Sequence, residues 1–323
     1  MFFYKKTLMN KLRIVFMGTP DFATGILEAI LEQNYDVVGV ITAPDKPAGR
    51  GQKLSVSSVK QFALEKGLKI LQPTNLKDET FLKELKSLNA NLQVVVAFRM
   101  LPKQVWQMPE RGTFNLHASL LPDYRGAAPI NWAIINGETQ TGVTTFFIDE
   151  KIDTGAMILN DSLEIGENEN AGSLHDRLMN LGRKTVINTL QLIEKGEAKT
   201  TVQPDSRDLK TAYKLNKENT KIDWTKPLFE IHNLIRGLSP YPCAWTFIED
   251  KSEQWNVKIY EAEKEESNHN FEIGKIFSTK REIKIAVSGG YINIKMLQFP
   301  AKKRMTTAEF LNGFEFSDNA KAL

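Results

Sequence analysis

The chain has 323 residues, 41% hydrophobic and 25% charged, with 42 Lys plus Arg against 39 Asp plus Glu and a formal net charge of +3. That composition excludes a fibrous or disordered chain, which would lack the apolar area to offset chain entropy. One cysteine, Cys243, and four histidines exclude an internal disulfide and a multi-cysteine metal centre, so no metal is expected.

The length suits about two domains at roughly 100–200 residues each. No segment approaches the roughly 20 apolar residues of a membrane span. The apolar run Ile14–Met17 behind Lys5-Lys6 is too short for a signal peptide. The expected location is the cytoplasm, with no membrane contact. Met9 offers a second start, which would make Met1–Leu8 a dispensable extension.

Leu12–Met17 reads as a buried strand ending in the turn signals Gly18-Thr19-Pro20-Asp21. Phe22–Gln33 carries apolar residues at helical spacing, and Val37–Ile41 is a second apolar strand. Val59–Glu65 and Phe81–Leu88 read as helices, Leu92–Phe98 and Thr113–Leu116 as strands. Ile130–Ile135 reads as a helix, Gly142–Ile148 as a β-rich run and Leu174–Leu192 as a long amphipathic helix. Strands that are nearly all apolar and alternate with helices predict a mostly parallel sheet covered on both faces.

After Glu197 the pattern changes. Residues 199–220 are polar and read as a linker. A helix near Leu228–Arg236 follows, then short β-type runs at Trp245–Ile248, Trp255–Glu261, Ile273–Phe277, Ile283–Val287 and Tyr291–Leu297. Their close spacing predicts a small antiparallel barrel or sandwich.

A dinucleotide site fails at once: Gly18-Thr-Pro-Asp-Phe-Ala supplies one of the three glycines such a fingerprint needs. More informative is Phe114-Asn115-Leu116-His117-Ala118-Ser119-Leu120-Leu121-Pro122. A strand puts Asn115 and His117 on one face, at the carboxyl end where open α/β sheets bind ligands. A hydrogen-bonded core histidine is the equal alternative for His117 on spacing alone. Asp153, in Asp149-Glu-Lys-Ile-Asp-Thr-Gly155, is either a turn former or a carboxylate that reaches a histidine. His175, His232 and His269 read as structural or solvent-facing.

Asn115–Pro122, then Tyr124-Arg-Gly-Ala-Ala-Pro-Ile130, then Asp153-Thr-Gly155 resemble the formyltransferases that use 10-formyltetrahydrofolate. Phe16–Ala23, Pro47–Leu54, Thr141–Asp149 and Ser239–Trp245 extend the resemblance over nearly the whole chain from Met9. Within that superfamily the chain resembles the branch whose acceptor is methionyl initiator tRNA. The resemblance implies an α/β fold: a Rossmann-like, mostly parallel N-terminal domain, 1–198, and a small OB-like β-barrel that binds tRNA, 221–323, across the linker.

It implies that Asn115, His117 and Asp153 are catalytic and that Ser119, Leu120, Leu121 and Pro122 line the folate site, with strand-end backbone around Val96 and Phe98 near the pterin. Pro44–Leu54, with Lys46, Arg50 and Lys53, corresponds to an insertion that approaches the tRNA acceptor end, and reads as a flexible basic loop. Phe98-Arg99 stands where Tyr-Gly is common, and Cys243 replaces a frequent Gly. A monomer is expected. Competing readings are a sugar-nucleotide formyltransferase, a non-catalytic RNA-binding protein and a formate-releasing hydrolase. The basic insertion and second domain disfavour the first, and the intact trio disfavours the second.

Overall fold

The computed structural model describes residues 11–48, 53–204 and 208–323; Met1–Leu8, Met9 and Arg50 lie outside them. Apolar runs at the expected positions form five of the seven strands of one sheet, and Ile70–Leu71 and Met157–Glu164 are the other two. The spatial order of all seven is Met157–Glu164, Gln140–Phe147, Thr113–His117, Leu92–Val96, Arg13–Gly18, Asp36–Ile41 and Ile70–Leu71. The pairings from Ile70–Leu71 through Thr113–His117 are parallel. Gln140–Phe147 runs antiparallel to Thr113–His117, with Asn115 opposite Phe146 and His117 opposite Thr144.

The strand Met157–Glu164 has no counterpart among the sequence expectations. Its exposure alternates, with Asn160, Ser162 and Glu164 outward, so it offers no apolar run to read. Helices Asp21–Glu32, Ser58–Glu65 and Glu79–Ser87 follow the predicted spans. Ser57 and Asp78 cap the latter two by accepting from the amides of Lys60 and Phe81. Gly18 is a close-approach glycine: a Cβ there would lie 2.5 Å from the Ala23 Cβ.

Two compact units result. One comprises the chain up to Arg125, Gly142–Leu163 and Asp176–Lys210; the other comprises Gly126–Thr141, Glu164–His175 and Thr211–Leu323. Within the second, strands Ile276–Ser278, Ile283–Val287, Gly290–Gln298, Glu253–Glu266, Ala244–Asp250 and Lys321–Ala322 pair in that order. An antiparallel bridge from Lys275 to Lys321 joins the two ends of that order, which makes the sheet a nearly closed barrel. Its core joins aliphatic side chains, Ile248, Val257, Ile259, Ile285, Val287, Ile292 and Ile294, to the buried aromatics Phe299, Phe310 and Phe316. Helix Leu228–Leu238 adds Ile231, Ile235 and Leu238 to it. The hairpin between Ala244–Asp250 and Glu253–Glu266 turns at Lys251 and Ser252, both at positive φ (52° and 64°).

The stretch expected as a linker carries structure of its own. Thr201 pairs antiparallel with Met157, and the Lys210 carbonyl accepts from the Tyr124 amide at 2.6 Å.

Candidate active site at the carboxyl end of the sheet

The Thr113–His117 strand lies between the parallel strands and their antiparallel neighbour, and its last residues deliver side chains to the sheet's carboxyl end. His117 and Asp153 meet: Nδ1 lies 3.8 Å from an Asp153 carboxylate oxygen, with side chains only 7% and 15% exposed. The other ring nitrogen, Nε2, lies 2.8 Å from the Tyr124 carbonyl oxygen. A carbonyl only accepts, so Nε2 carries a proton, and in the neutral form of the ring Nδ1 is the acceptor that faces Asp153.

The backbone of Tyr124 thus fixes the tautomer, and the Asp153 carboxylate faces the ring nitrogen that would receive a further proton. Tyr124 holds φ at 60°, and the hydrogen bond its N–H donates to the Lys210 carbonyl pins the segment.

Asn115 precedes on the same strand face, half-buried, and its Oδ1 is buried without a hydrogen-bond partner among the described residues. A buried amide oxygen left this way costs about 1–3 kcal/mol unless a ligand completes it.

Asp153 sits in a turn at φ 54°, strained for a residue with a side chain. Asp149 closes the turn by accepting from the Lys151 amide at 3.0 Å and the Thr154 hydroxyl at 2.8 Å. Gly155 is required next to it, because a Cβ would stand 1.7 Å from the Phe147 carbonyl oxygen.

Ser119–Pro122 continues past the strand. Thr144 stitches it down, donating to the Ser119 carbonyl at 2.7 Å while accepting from the Leu121 amide at 3.1 Å. Ser119 and Leu121 are buried, Leu120 and Pro122 half-buried, and the Leu121–Pro122 peptide is cis. Val96 ends its strand with its side chain fully buried, leaving only backbone to face a ligand. Phe98 is half-buried, packed against the core cluster of Val95, Leu101 and Val105. Arg99 lies over the Phe98 ring, 5.7 Å from its centroid, and donates to the carbonyls of Thr74 (2.9 Å) and Pro73. The unusual Arg99 thus ties two loops together.

The expected flexible loop at Pro44–Leu54 is in part a β-hairpin: Lys46–Ala48 pairs antiparallel with Lys53–Ser55, and Lys46 is exposed. The hairpin's base is anchored at Asp45, which accepts from Lys60 Nζ at 2.5 Å and Gln72 Nε2 at 2.9 Å. Those two hydrogen bonds lower the Asp45 pKa below the ordinary carboxylate value.

Sequence reasoning missed Tyr124, Thr144 and Gln203. Tyr124 acts through a carbonyl, which every residue has. Thr144 is one of two adjacent strand threonines, and Gln203 sits in a polar stretch with no periodicity. Of the other histidines, His232 is buried in the second unit, and His269 Nε2 lies 2.8 Å from the Gly290 carbonyl oxygen.

The family described as formyl transferase matches residues 12–190, and its C-terminal domain matches 214–315. A protein of Flavobacterium johnsoniae named methionyl-tRNA formyltransferase is 69% identical over 97% of this chain and 99% of its own length. One of the same name from Bacteroides thetaiotaomicron is 50% identical over 96% and 98%. Among solved structures, an N-formyltransferase from Helicobacter canadensis, in complex with folinic acid and dTDP-3-aminofucose, has the same fold. It aligns with a TM-score of 0.64 at 23% identity, over 88% of this chain and 98% of that one. With matching domains at both ends and identity sustained across nearly its whole length, the chain belongs to the formyl transferase family.

Proposed function

We propose that the chain transfers the formyl group of 10-formyltetrahydrofolate to the α-amino group of methionyl initiator tRNA, with Asn115, His117 and Asp153 as its catalytic residues. One observation carries the chemistry: a buried imidazole whose Nε2–H is tied to the Tyr124 carbonyl, so that Nδ1 is the ring's acceptor, beside a carboxylate. The acceptor is supported by 69% identity, over 97% of the chain, to a relative named methionyl-tRNA formyltransferase.

The folate supplies a formyl group activated on nitrogen. An α-amino group ordinarily titrates at about 7.7–8.0, so a useful fraction is neutral near pH 7 and needs little activation. Attack on the formyl carbon makes an oxyanion and leaves a proton on the amine. Asn115 donates its amide N–H to the oxyanion, while its orphaned Oδ1 is an acceptor for the amine. His117 takes the amine proton at Nδ1, Asp153 stabilises the imidazolium, and the proton passes to the departing folate nitrogen as the C–N bond breaks. Backbone along Ser119–Pro122 and around Val96–Phe98 binds the folate.

For the tRNA, the Pro44–Leu54 segment, whose sequence holds Lys46, Arg50 and Lys53, meets the acceptor end and the barrel contacts the remainder. Supporting the barrel's part, Trp245 packs edge-on to Phe247 at 5.3 Å, with Lys217 and Lys221 over the indole at 5.4 and 5.9 Å. Arg304 lies 5.0 Å from the Tyr260 ring centre. Interleaved cations and aromatic rings suit phosphates and bases. In this reading residues 1–198 are catalytic, 199–220 link and 221–323 bind tRNA, in a cytoplasmic monomer.

The test follows formyl label from 10-formyltetrahydrofolate in parallel reactions with methionyl initiator tRNA, uncharged tRNA, a UDP-amino sugar and no acceptor. Label on the esterified methionine alone is expected. Label on the sugar would discard the tRNA acceptor, and formate released without any amine would replace transfer by hydrolysis.

A further inference from the structure

Gln203 follows the long helix Ala171–Lys195 in a polar stretch, yet it is buried, with 7% of its surface exposed. Its amide is saturated by three partners from two other loops. Oε1 accepts from Arg125 Nε at 3.0 Å and Nη2 at 2.7 Å. Nε2 donates to the carbonyls of Asp153 at 2.9 Å and Gly155 at 2.8 Å. The amide orientation is unambiguous, since a guanidinium only donates and carbonyls only accept. Gln203 therefore grips both sides of the turn that carries Asp153, and does so at the residue whose backbone is strained. Asp149 closes that turn internally; Gln203 ties it to the rest of the unit.

We infer that Gln203 is a positioning residue for the reaction, holding the Asp153 carboxylate at its place beside His117 Nδ1. The inference rests on the reading of Asp153 as catalytic. A hydrogen bond from an amide to a backbone carbonyl contributes only about 1 kcal/mol to stability. Its effect on rate is larger, because displacing a catalytic group by about 1 Å costs up to about 10²-fold. Arg125 occupies the amide's other end and, with Thr154 and Pro204, lines an open pocket of ≈ 350 Å³ on the same unit.

The experiment is a double-mutant cycle on the full chain with 10-formyltetrahydrofolate and methionyl initiator tRNA. Gln203→Leu removes every hydrogen bond. Gln203→Glu sets an anion against the two carbonyls and releases the turn, while its ion pair with Arg125 supports the fold where the leucine variant is unstable. Each is assayed below its own melting temperature, alone and combined with Asp153→Asn. Gln203→Leu and Gln203→Glu are expected to lower kcat by roughly 10- to 100-fold. KM for folate and tRNA should stay within about twofold. In the Asp153→Asn background either change should have no further effect on kcat, which a merely structural role would not produce. Multiplying effects, or wild-type kcat in both Gln203 variants, would overturn the inference. Wild-type kcat in Asp153→Asn alone would instead remove the reading beneath it.

Discussion

His117 and His232 are both buried histidines, one in each unit, and their neighbours prepare them for opposite tasks. Around His117 stand acceptors: a carbonyl on Nε2 and a carboxylate facing Nδ1. His232 has cations for company. Burial, then Arg236 and Lys264, push its imidazole down to about 4, against weaker opposing help from the Ala262 backbone and Glu167. Arg236 itself is buried, donating to the carbonyls of Glu169 (2.9 Å) and Gly166 (3.3 Å) and pinning the helix Leu228–Leu238 to that loop. The contrast teaches that burial alone does not tell a histidine proposed to be catalytic from a packed one. What separates them is the dominant sign of the charge around the ring, a carboxylate for one and two cations for the other.

Substituting each histidine by glutamine is the sharpest way to break this contrast. His117→Gln should lower kcat by about 10²–10⁴-fold while folate affinity, measured by equilibrium binding, stays within about threefold. Turnover near wild type would equate the two histidines. Asn115→Ala sharpens the same point from the neighbouring residue. Loss of one oxyanion donor predicts a fall of about 10²–10³-fold in kcat with KM nearly unchanged, read from steady-state kinetics. A rise in KM alone would make Asn115 a binding group.

The smallest effect belongs to His232. Its folded pKa lies below the unfolded value of 6.5, so between pH 6.5 and about 4 the unfolded chain holds more protons. Stability should therefore fall as pH drops through that window, by several degrees of Tm at roughly 2–4 °C per kcal/mol. Glu167, held below its ordinary value chiefly by its hydrogen bond to Lys264, adds a loss at still lower pH as it protonates. His232→Gln should flatten the Tm profile from pH 6.5 to 4 and leave kcat at pH 7.5 within about twofold. An unchanged slope would place the acid sensitivity elsewhere.

Much of this was legible in the chain itself. Fully buried strands such as Leu92–Val96 announce themselves as apolar runs, and strand alternation alone puts Asn115 and His117 on one face. The meeting of His117 with Asp153, 36 positions later, was not legible from spacing, because a turn's direction depends on tertiary partners such as Gln203 and on Gly155 against Phe147. Strand Met157–Glu164 escaped because polar residues, the exposed Asn160, Ser162 and Glu164 among them, interrupt its apolar pattern. The Lys46–Ser55 hairpin escaped because three-residue strands carry too little pattern.

The group that chooses the ring's tautomer is a peptide oxygen, and this has a genetic consequence. Every amino acid brings that oxygen, so no codon change at position 124 deletes it. Substitution there acts only through the buried Tyr124 ring and the tolerance for φ of 60°. A saturation library scored for activity would rank position 124 by shape and backbone preference, with glycine and asparagine favoured on the latter count. The proton's address on His117 would stay hidden from it, written in a part of the molecule that point mutation does not edit.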